Sequence, residues 1–472
     1  MDASPWGNHL MDLFRIGRLP FMARRNYLVE IQHLFIWGLF AGLVEGTVSA
    51  VVVSKTFGGS NFLITVVQAT PAFANLVSLV WGALIVGRRK MPVFFALAAA
   101  SVSCALTVTF TPDSPMGGWI FALQICLARV FMSGVVTTRA SLWKSNYPKS
   151  HRGRITAGLQ VVRTLVSLPI ILGCGALFDF NHLAYRWFYP LVASIGVIGL
   201  VLFRRVHVRG ERSAMAARQN GDEDTIAEAG LVAPFSLVSL VSPWTIVGRM
   251  REALRQDPRF ARYCTAQMCL GSANLMAMPV NTIVLTKVLG LSYLVSNGLL
   301  DGVPRIVTLL MLPIWARLFD RVGVLRFRVA NSMCWSGSLL LCGIGAMLAM
   351  YYPEGTGIRE QGTGWLLALA LVAYSIGRIA DGMAQSGGAI AWNIGHLHFA
   401  EDDKAELYMG IHVSLTGFRG LIAPFFGSFL YEVIDYGVFA VALVISITGL
   451  VLFRRLATEE RRAIKRGRAT AG

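Results

Sequence analysis

Twelve blocks of apolar residues divide this chain, and each approaches or exceeds the ~20 residues that a helix needs to cross ~30 Å of hydrocarbon. They run over Ile31–Ser54, Asn61–Gly87, Met91–Thr111, Gly117–Trp143, Arg154–Phe178 and Tyr185–Phe203 in the first half. The second half supplies Phe260–Thr286, Ser292–Phe319, Phe327–Tyr351, Gly364–Asn393, Ala405–Tyr431 and Tyr436–Phe453. Membrane barrel strands would be short and alternating, which these blocks are not. Of the 472 residues 55% are hydrophobic and only 15% charged, where a soluble domain carries about a quarter charged. Lipid is therefore the expected solvent, and the fold class is an all-α membrane protein with twelve transmembrane helices.

A net charge of +17 would point to nucleic acid in a soluble protein. Its distribution points elsewhere. Lys and Arg crowd the N-terminal segment (Arg15, Arg18, Arg24, Arg25) and the links at Arg88-Arg89-Lys90, at Lys144 to Arg152 and at Arg321 to Arg326, as well as the C-terminal tail. The alternate links carry little more than Lys55, Arg186, Lys287 and Arg359. This alternation follows the positive-inside rule and predicts that both termini are cytoplasmic. No nucleic-acid partner is expected. The seven cysteines all lie inside the blocks and read as small buried residues; none has metal-ligand spacing, so neither a metal nor another cofactor is predicted.

The chain repeats itself. Val52, Lys55, Gly58 and Ser60 recur as Val284, Lys287, Gly290 and Ser292, displaced by 232 residues (287 minus 55). Arg129, Ala140 and Trp143 recur as Arg378, Ala389 and Trp392, displaced by 249 (378 minus 129), and the longer link at Tyr352–Thr363 accounts for the growth. Two pseudo-symmetric six-helix bundles follow, the plan of transporters whose substrate site lies at mid-membrane. The expected organisation is a cytoplasmic segment at 1–30, bundles at 31–204 and 260–454, a central cytoplasmic loop at 205–259, and a basic tail at 455–472. Within the loop, Leu231–Val247 is apolar but broken by Pro234 and Pro243, and is expected to lie on the inner membrane face.

Between spans eight and nine the sequence reads Ala316-Arg317-Leu318-Phe319-Asp320-Arg321-Val322-Gly323-Val324-Leu325-Arg326. This resembles the signature of the major facilitator superfamily, a small residue followed by Asp-Arg-x-Gly and a further basic residue. In the first half Val86 stands where the acid belongs, although that copy is usually the better preserved one in the family. The resemblance covers about Ile31 to Phe453 and implies two bundles rocking about a central cavity. The acid at a cytoplasmic helix end can accept bonds from the positive N-terminus of a neighbouring helix. Asp320, Arg321, Gly323 and Arg154 are accordingly expected to form a cytoplasmic latch.

The ionisable residues inside the spans are the functional candidates. Each charge at the bilayer centre costs at least ~2.5 kcal/mol if it meets lipid. Glu45, Arg129, Arg163, Arg305, Arg378 and Arg419 lie near the middles of six spans, with Asp301 and Asp381 close to Arg305 and Arg378. Asp301 with Arg305 and Arg378 with Asp381 have the spacing of same-face pairs. By the resemblance, Glu45 and Arg129 line the cavity and are expected to meet. The remaining balance is positive, and guanidinium groups grip carboxylate or phosphate by paired bonds. Arg129, Arg378, Arg163, Arg419 and Arg305 are therefore the expected solute contacts, and Glu45, Asp381 and Asp301 the proton carriers. On span seven Gln267, Asn274 and Asn281 share a face; they suit solute contact or helix–helix bonding equally. In the link before span eleven, His396, His398 and the acids Glu401, Asp402 and Asp403 suit either helix capping or a cation and pH site.

No catalytic constellation or phosphate loop suggests an enzyme. The sequence predicts a secondary transporter of a small solute, coupled to protons and leaning to an anionic or zwitterionic substrate. A monomer in a bacterial inner membrane is expected. A transporter-shaped sensor or scaffold, or a lipid translocase, is the alternative.

Overall fold

The structure, a computed structural model, describes residues 19–85, 88–211, 243–350, 364–399 and 405–469. Val86, Leu231 to Ser242, Glu401, Asp402, Asp403 and the link 352–363 lie outside the described residues, as does the side chain of His396. The described residues form helices and their connecting turns.

Among the described residues, twelve helical spans are long and apolar enough to cross a membrane. Span one is α1 (Phe21–Glu45) and α2 (Val48–Lys55); α3 (Asn61–Ile85), α4 (Lys90–Leu106), α5 (Pro115–Asn146), α6 (Lys149–Phe180) and α7 (Tyr185–Phe203) follow. After α8 (Pro243–Gln256) come α9 (Pro258–Ile283), α10 (Tyr293–Asn297) and α11 (Val303–Val322), then α12 (Val324–Met350), α13 (Gly364–Ile394), α14 (Ala405–Ile434) and α15 (Gly437–Ala469). A π-helical turn, Val284–Val288, closes α9, and another, Gly298–Gly302, joins α10 to α11. Large apolar side chains such as Phe35, Leu123, Val201, Leu310 and Met333 remain exposed, a surface that only lipid can cover.

Local chemistry sets the helix ends. The Ser114 hydroxyl caps α5 and Pro115 opens it; the Asp257 carboxylate accepts from Arg259 N and Phe260 N, and Pro258 opens α9. Ser60 and Ser292, related by the repeat, each accept a backbone N–H three residues on, from Leu63 and Val295. Their repeat-related neighbours Gly58 and Gly290 share the left-handed conformation, with φ of 56° and 58°. Gly323 of the signature ends α11 at φ 73°, so this position suits glycine for its backbone alone.

The chain divides into two compact units, and their boundary differs from the expected one. One unit comprises Met1–Ser49 and Ala74–Pro243; the other comprises Ala50–Phe73 and Trp244–Gly472. Thus α2 and the first half of α3 belong with the C-terminal helices. Helix α1 also begins within the expected 1–30 segment, and α15 carries the expected tail onward as helix. In the expected central loop, α8 lays Ala253, Met250 and Leu254 against the C-terminal core at Phe260, Tyr263 and Phe453.

Candidate functional site

Span one breaks between a long first helix and a short second one. α1 stops at Glu45 and α2 resumes at Val48, which leaves carbonyls at the break without helical donors. Arg129 of α5 supplies them: its Nε donates to Val44 O at 2.6 Å and its Nη2 to Gly46 O at 2.8 Å. The side chain is 3% exposed. Glu45, at the lip of the break, pairs with Arg163 of α6, and the two side chains are 21% and 27% exposed. The expected meeting of Glu45 with Arg129 is corrected: the backbone takes Arg129, and Arg163 takes the carboxylate.

Arg378 of α13 repeats this arrangement atom for atom on a different distortion. Its Nε donates to Leu299 O at 3.0 Å and its Nη2 to Leu300 O at 2.8 Å, both within the π-helical turn that joins α10 to α11. A π turn displaces carbonyls from their usual donors, and a forked guanidinium answers two at once. Asp381 accepts from Arg378 at 2.8 Å and from Gln385 Nε2 at 2.7 Å. Arg305 reaches Asp301 at 3.4 Å. Both same-face pairs expected from spacing thus form.

Of the remaining candidates, Asn281 is buried and accepts from the Tyr374 hydroxyl at 3.3 Å, and Asn274 is half-buried. Gln267 and Arg419 meet: Arg419 Nη1 donates to Gln267 O at 2.8 Å. Asp320, Arg321 and Gly323 are exposed at the end of α11, and Arg154 is half-buried near the start of α6. His398 Nε2 lies 2.8 Å from Glu460 Oε1, which ties α15 to the link after α13.

Sequence reasoning missed a buried network between the first half of α1 and the C-terminal end of α5. Glu30 of α1, 1% exposed, accepts from Trp143 Nε1 at 2.6 Å and from the Tyr147 hydroxyl at 2.5 Å. Arg139 is buried beside Trp143, with its guanidinium 5.5 Å from the indole ring centre. Tyr147 lies just beyond the span; burial first and the Glu30 carboxylate second push its phenol up, so it stays a donor. His33 Nδ1 donates to Gly199 O at 2.8 Å. Arg139 falls inside an apolar block and Glu30 at the very edge of one, and a count of charges by depth would have found both.

Within the C-terminal unit, the α2–α3 segment is fastened to α9 and α10 by polar contacts. Ser54 Oγ lies 2.6 Å from Thr286 Oγ1, and Gln68 Nε2 donates to Thr282 Oγ1 at 2.6 Å. Thr56 Oγ1 lies 2.8 Å from the Tyr293 hydroxyl, while Lys287 Nζ donates to Gly59 O at 2.7 Å and Asn61 Oδ1 at 3.1 Å.

Comparison with known proteins agrees with this architecture. The family model described as Major Facilitator Superfamily matches residues 34–377. Among solved structures, a mutant of the nucleoside transporter NupG superposes with a TM-score of 0.62 at 12% identity, covering 91% of this chain and 98% of that one. The peptide transporter POT in complex with sulfate gives 0.57 at 13% identity, covering 91% and 95%. The xylose transporter XylE from E. coli, in a partially occluded inward-open conformation, gives 0.59 at 9% identity, covering 91% and 99%. Among curated proteins the sequence finds no significant match.

Proposed function

The chain belongs to the major facilitator superfamily, and from that premise we propose that it is a proton-coupled secondary transporter of a small anionic or zwitterionic solute, working by alternating access. The observation that carries this reading is the Glu45–Arg163 ion pair at the break in span one. A carboxylate and a guanidinium held together away from bulk water depend on one another, and loss of one charge strands the other. Protonation of Glu45 releases Arg163, and a solute anion at Arg163 favours that release. Each event thereby promotes the other, which is the linkage that coupled transport requires.

Arg129 and Arg378 take a different part in this proposal. Their forks are occupied by backbone carbonyls, so they hold the distorted segments of α1 and the α10–α11 turn in shape while Glu45 and Arg163 exchange partners. Arg163 and Arg419 remain as solute contacts, and Asp381 and Asp301 serve to neutralise Arg378 and Arg305. The polar fastening of Ala50–Phe73 to α9 and α10 is read as an outer closure, since these links fall on the face with little basic charge. Both termini are then cytoplasmic, in a bacterial inner membrane, and the monomer is the working unit. The latch roles of Asp320, Arg321, Gly323 and Arg154 are kept as the sequence leads one to expect them.

The test is transport in reconstituted vesicles. Glu45→Gln abolishes accumulation driven by a proton gradient and spares solute exchange; equal loss of both contradicts the coupling role.

A further inference from the structure

Arg328 was not expected as a site residue, yet it is 1% exposed in the C-terminal unit. It sits in the second turn of α12 and donates from Nη2 to the Gln267 side-chain oxygen of α9 and from Nη1 to Asn331 Oδ1 at 3.0 Å. Arg419 of α14 donates to the same glutamine, on its backbone oxygen at 2.8 Å. Two guanidinium groups, from two helices, therefore converge on one residue of a third. Gly271, one turn beyond Gln267, makes room for this: a Cβ there would collide with the Arg419 guanidinium.

The charge balance of this cluster sets it apart. Arg163, Arg305 and Arg378 each face an acid, Glu45, Asp301 and Asp381. Among the described residues, Arg328 and Arg419 face none. The face of Phe453, 4.7 Å from the Arg328 guanidinium carbon, offsets only part of the cost of burying that charge. The Nε atoms of both arginines are buried with no acceptor among the described residues. Buried N–H donors without acceptors are uncommon, and two on adjacent cations are a stronger anomaly than either alone. Two like charges brought together inside a bundle repel, and an anion seated between them reverses that repulsion.

We propose that Arg328, Arg419 and Gln267 form an oxyanion subsite that receives the carboxylate or phosphoryl group of the transported solute. This rests on the transporter reading and names the substrate class for it. Arg328, fully buried and already held by Gln267 and Asn331, is the fixed member. Arg419 is only half-buried and is the member that a ligand reaches first. A guanidinium presents paired donors to a planar or tetrahedral oxyanion, and two of them discriminate against neutral solutes that offer no charge to bridge.

The experiment follows the thermal midpoint of the full-length protein in neutral detergent. It is titrated with inorganic phosphate, sulfate, acetate and succinate against sodium chloride of equal ionic strength. At least one oxyanion is expected to raise the wild-type midpoint saturably. Arg419→Gln is expected to raise the half-saturating concentration tenfold or more, with Arg419→Lys intermediate. Gly271→Ala keeps every charge but pushes the Arg419 guanidinium aside, and the same weakening is expected there. It also leaves the fully buried Arg328 untouched. Shifts equal in wild type and all variants, or no shift beyond chloride with any of the four anions, overturn the proposal. Stabilisation by phosphatidylglycerol micelles alone assigns the pair to a lipid headgroup and overturns the solute assignment. Saturable binding without flux of any solute in vesicles leaves the subsite standing and removes the transporter reading; flux with a KM indifferent to Arg419→Gln does the reverse.

Discussion

Ser54 and Thr286 are counterparts in the internal repeat, 232 residues apart, and their hydroxyl oxygens lie 2.6 Å from one another. A residue that touches its own repeat mate marks the local meeting of the two copies. Around it Gln68, Thr56 and Lys287 add further polar contacts, which gives the segment Ala50–Phe73 its attachment to the C-terminal helices.

On the proposed reading of this fastening as an outer closure, opening separates the pair. The double variant Ser54→Cys, Thr286→Cys places two thiols at contact distance for a disulfide, whose bond is about 2 Å long. Oxidation should stop transport and a reductant should restore it, with the wild type, whose seven cysteines all remain thiols, unaffected. Full transport by the crosslinked protein would show that this contact never opens. Radiolabelled uptake in vesicles reads both outcomes.

The capping role of Arg129 and Arg378 separates support from substrate contact. A lysine in either place offers a point charge in place of a fork and leaves one buried carbonyl unanswered, at a cost of about 1–3 kcal/mol. Arg129→Lys and Arg378→Lys should each lower the thermal midpoint and the maximal rate while KM stays within about twofold. A KM that rises selectively, at unchanged stability, would return both residues to the solute.

Glu30 should behave as a structural carboxylate. It accepts two bonds from Trp143 and Tyr147 while buried near Arg139, so Glu30→Gln weakens charge-assisted bonds of about 1.5–3 kcal/mol. Thermal unfolding in detergent should show the loss. Unchanged stability with altered proton dependence of transport would instead make Glu30 a coupling residue.

Gly290 isolates backbone conformation from packing. Its φ is 58°, and a Cβ there would meet nothing within 4 Å. Gly290→Ala should therefore cost about 1–2 kcal/mol through the left-handed conformation alone. An unchanged midpoint would show that the turn relaxes to another geometry.

The spans, the repeat and the glycine of the signature were legible in the sequence because each is a local property. Length and apolarity suffice for a span, and Gly323 answers to a single backbone angle. The pairs Asp301 with Arg305 and Arg378 with Asp381 were equally local, since three- and four-residue spacing places them on one helix face. What depended on the register of one helix against another was not legible. Glu45 had several arginines at similar depth, and only packing decides that α6 rather than α5 brings one to it. The break after Glu45 was hidden because glycine and threonine are common inside membrane helices, and Arg129 looked like a solute ligand until the carbonyls it caps were in place. Arg328 escaped notice because it stands two residues after Arg326, among basic residues that topology already explains. The assignment of Ala50–Phe73 to the C-terminal unit cuts across the repeat, and no property of the segment itself announces it.

The coupling role of Glu45 is tested most directly by proton movement itself. A pH-sensitive dye trapped in vesicles should report proton flux whenever solute moves down its gradient through the wild type. In Glu45→Gln the same solute movement should leave the dye unchanged. Proton flux of wild-type size through Glu45→Gln would contradict the account, since the proton would then travel by another group.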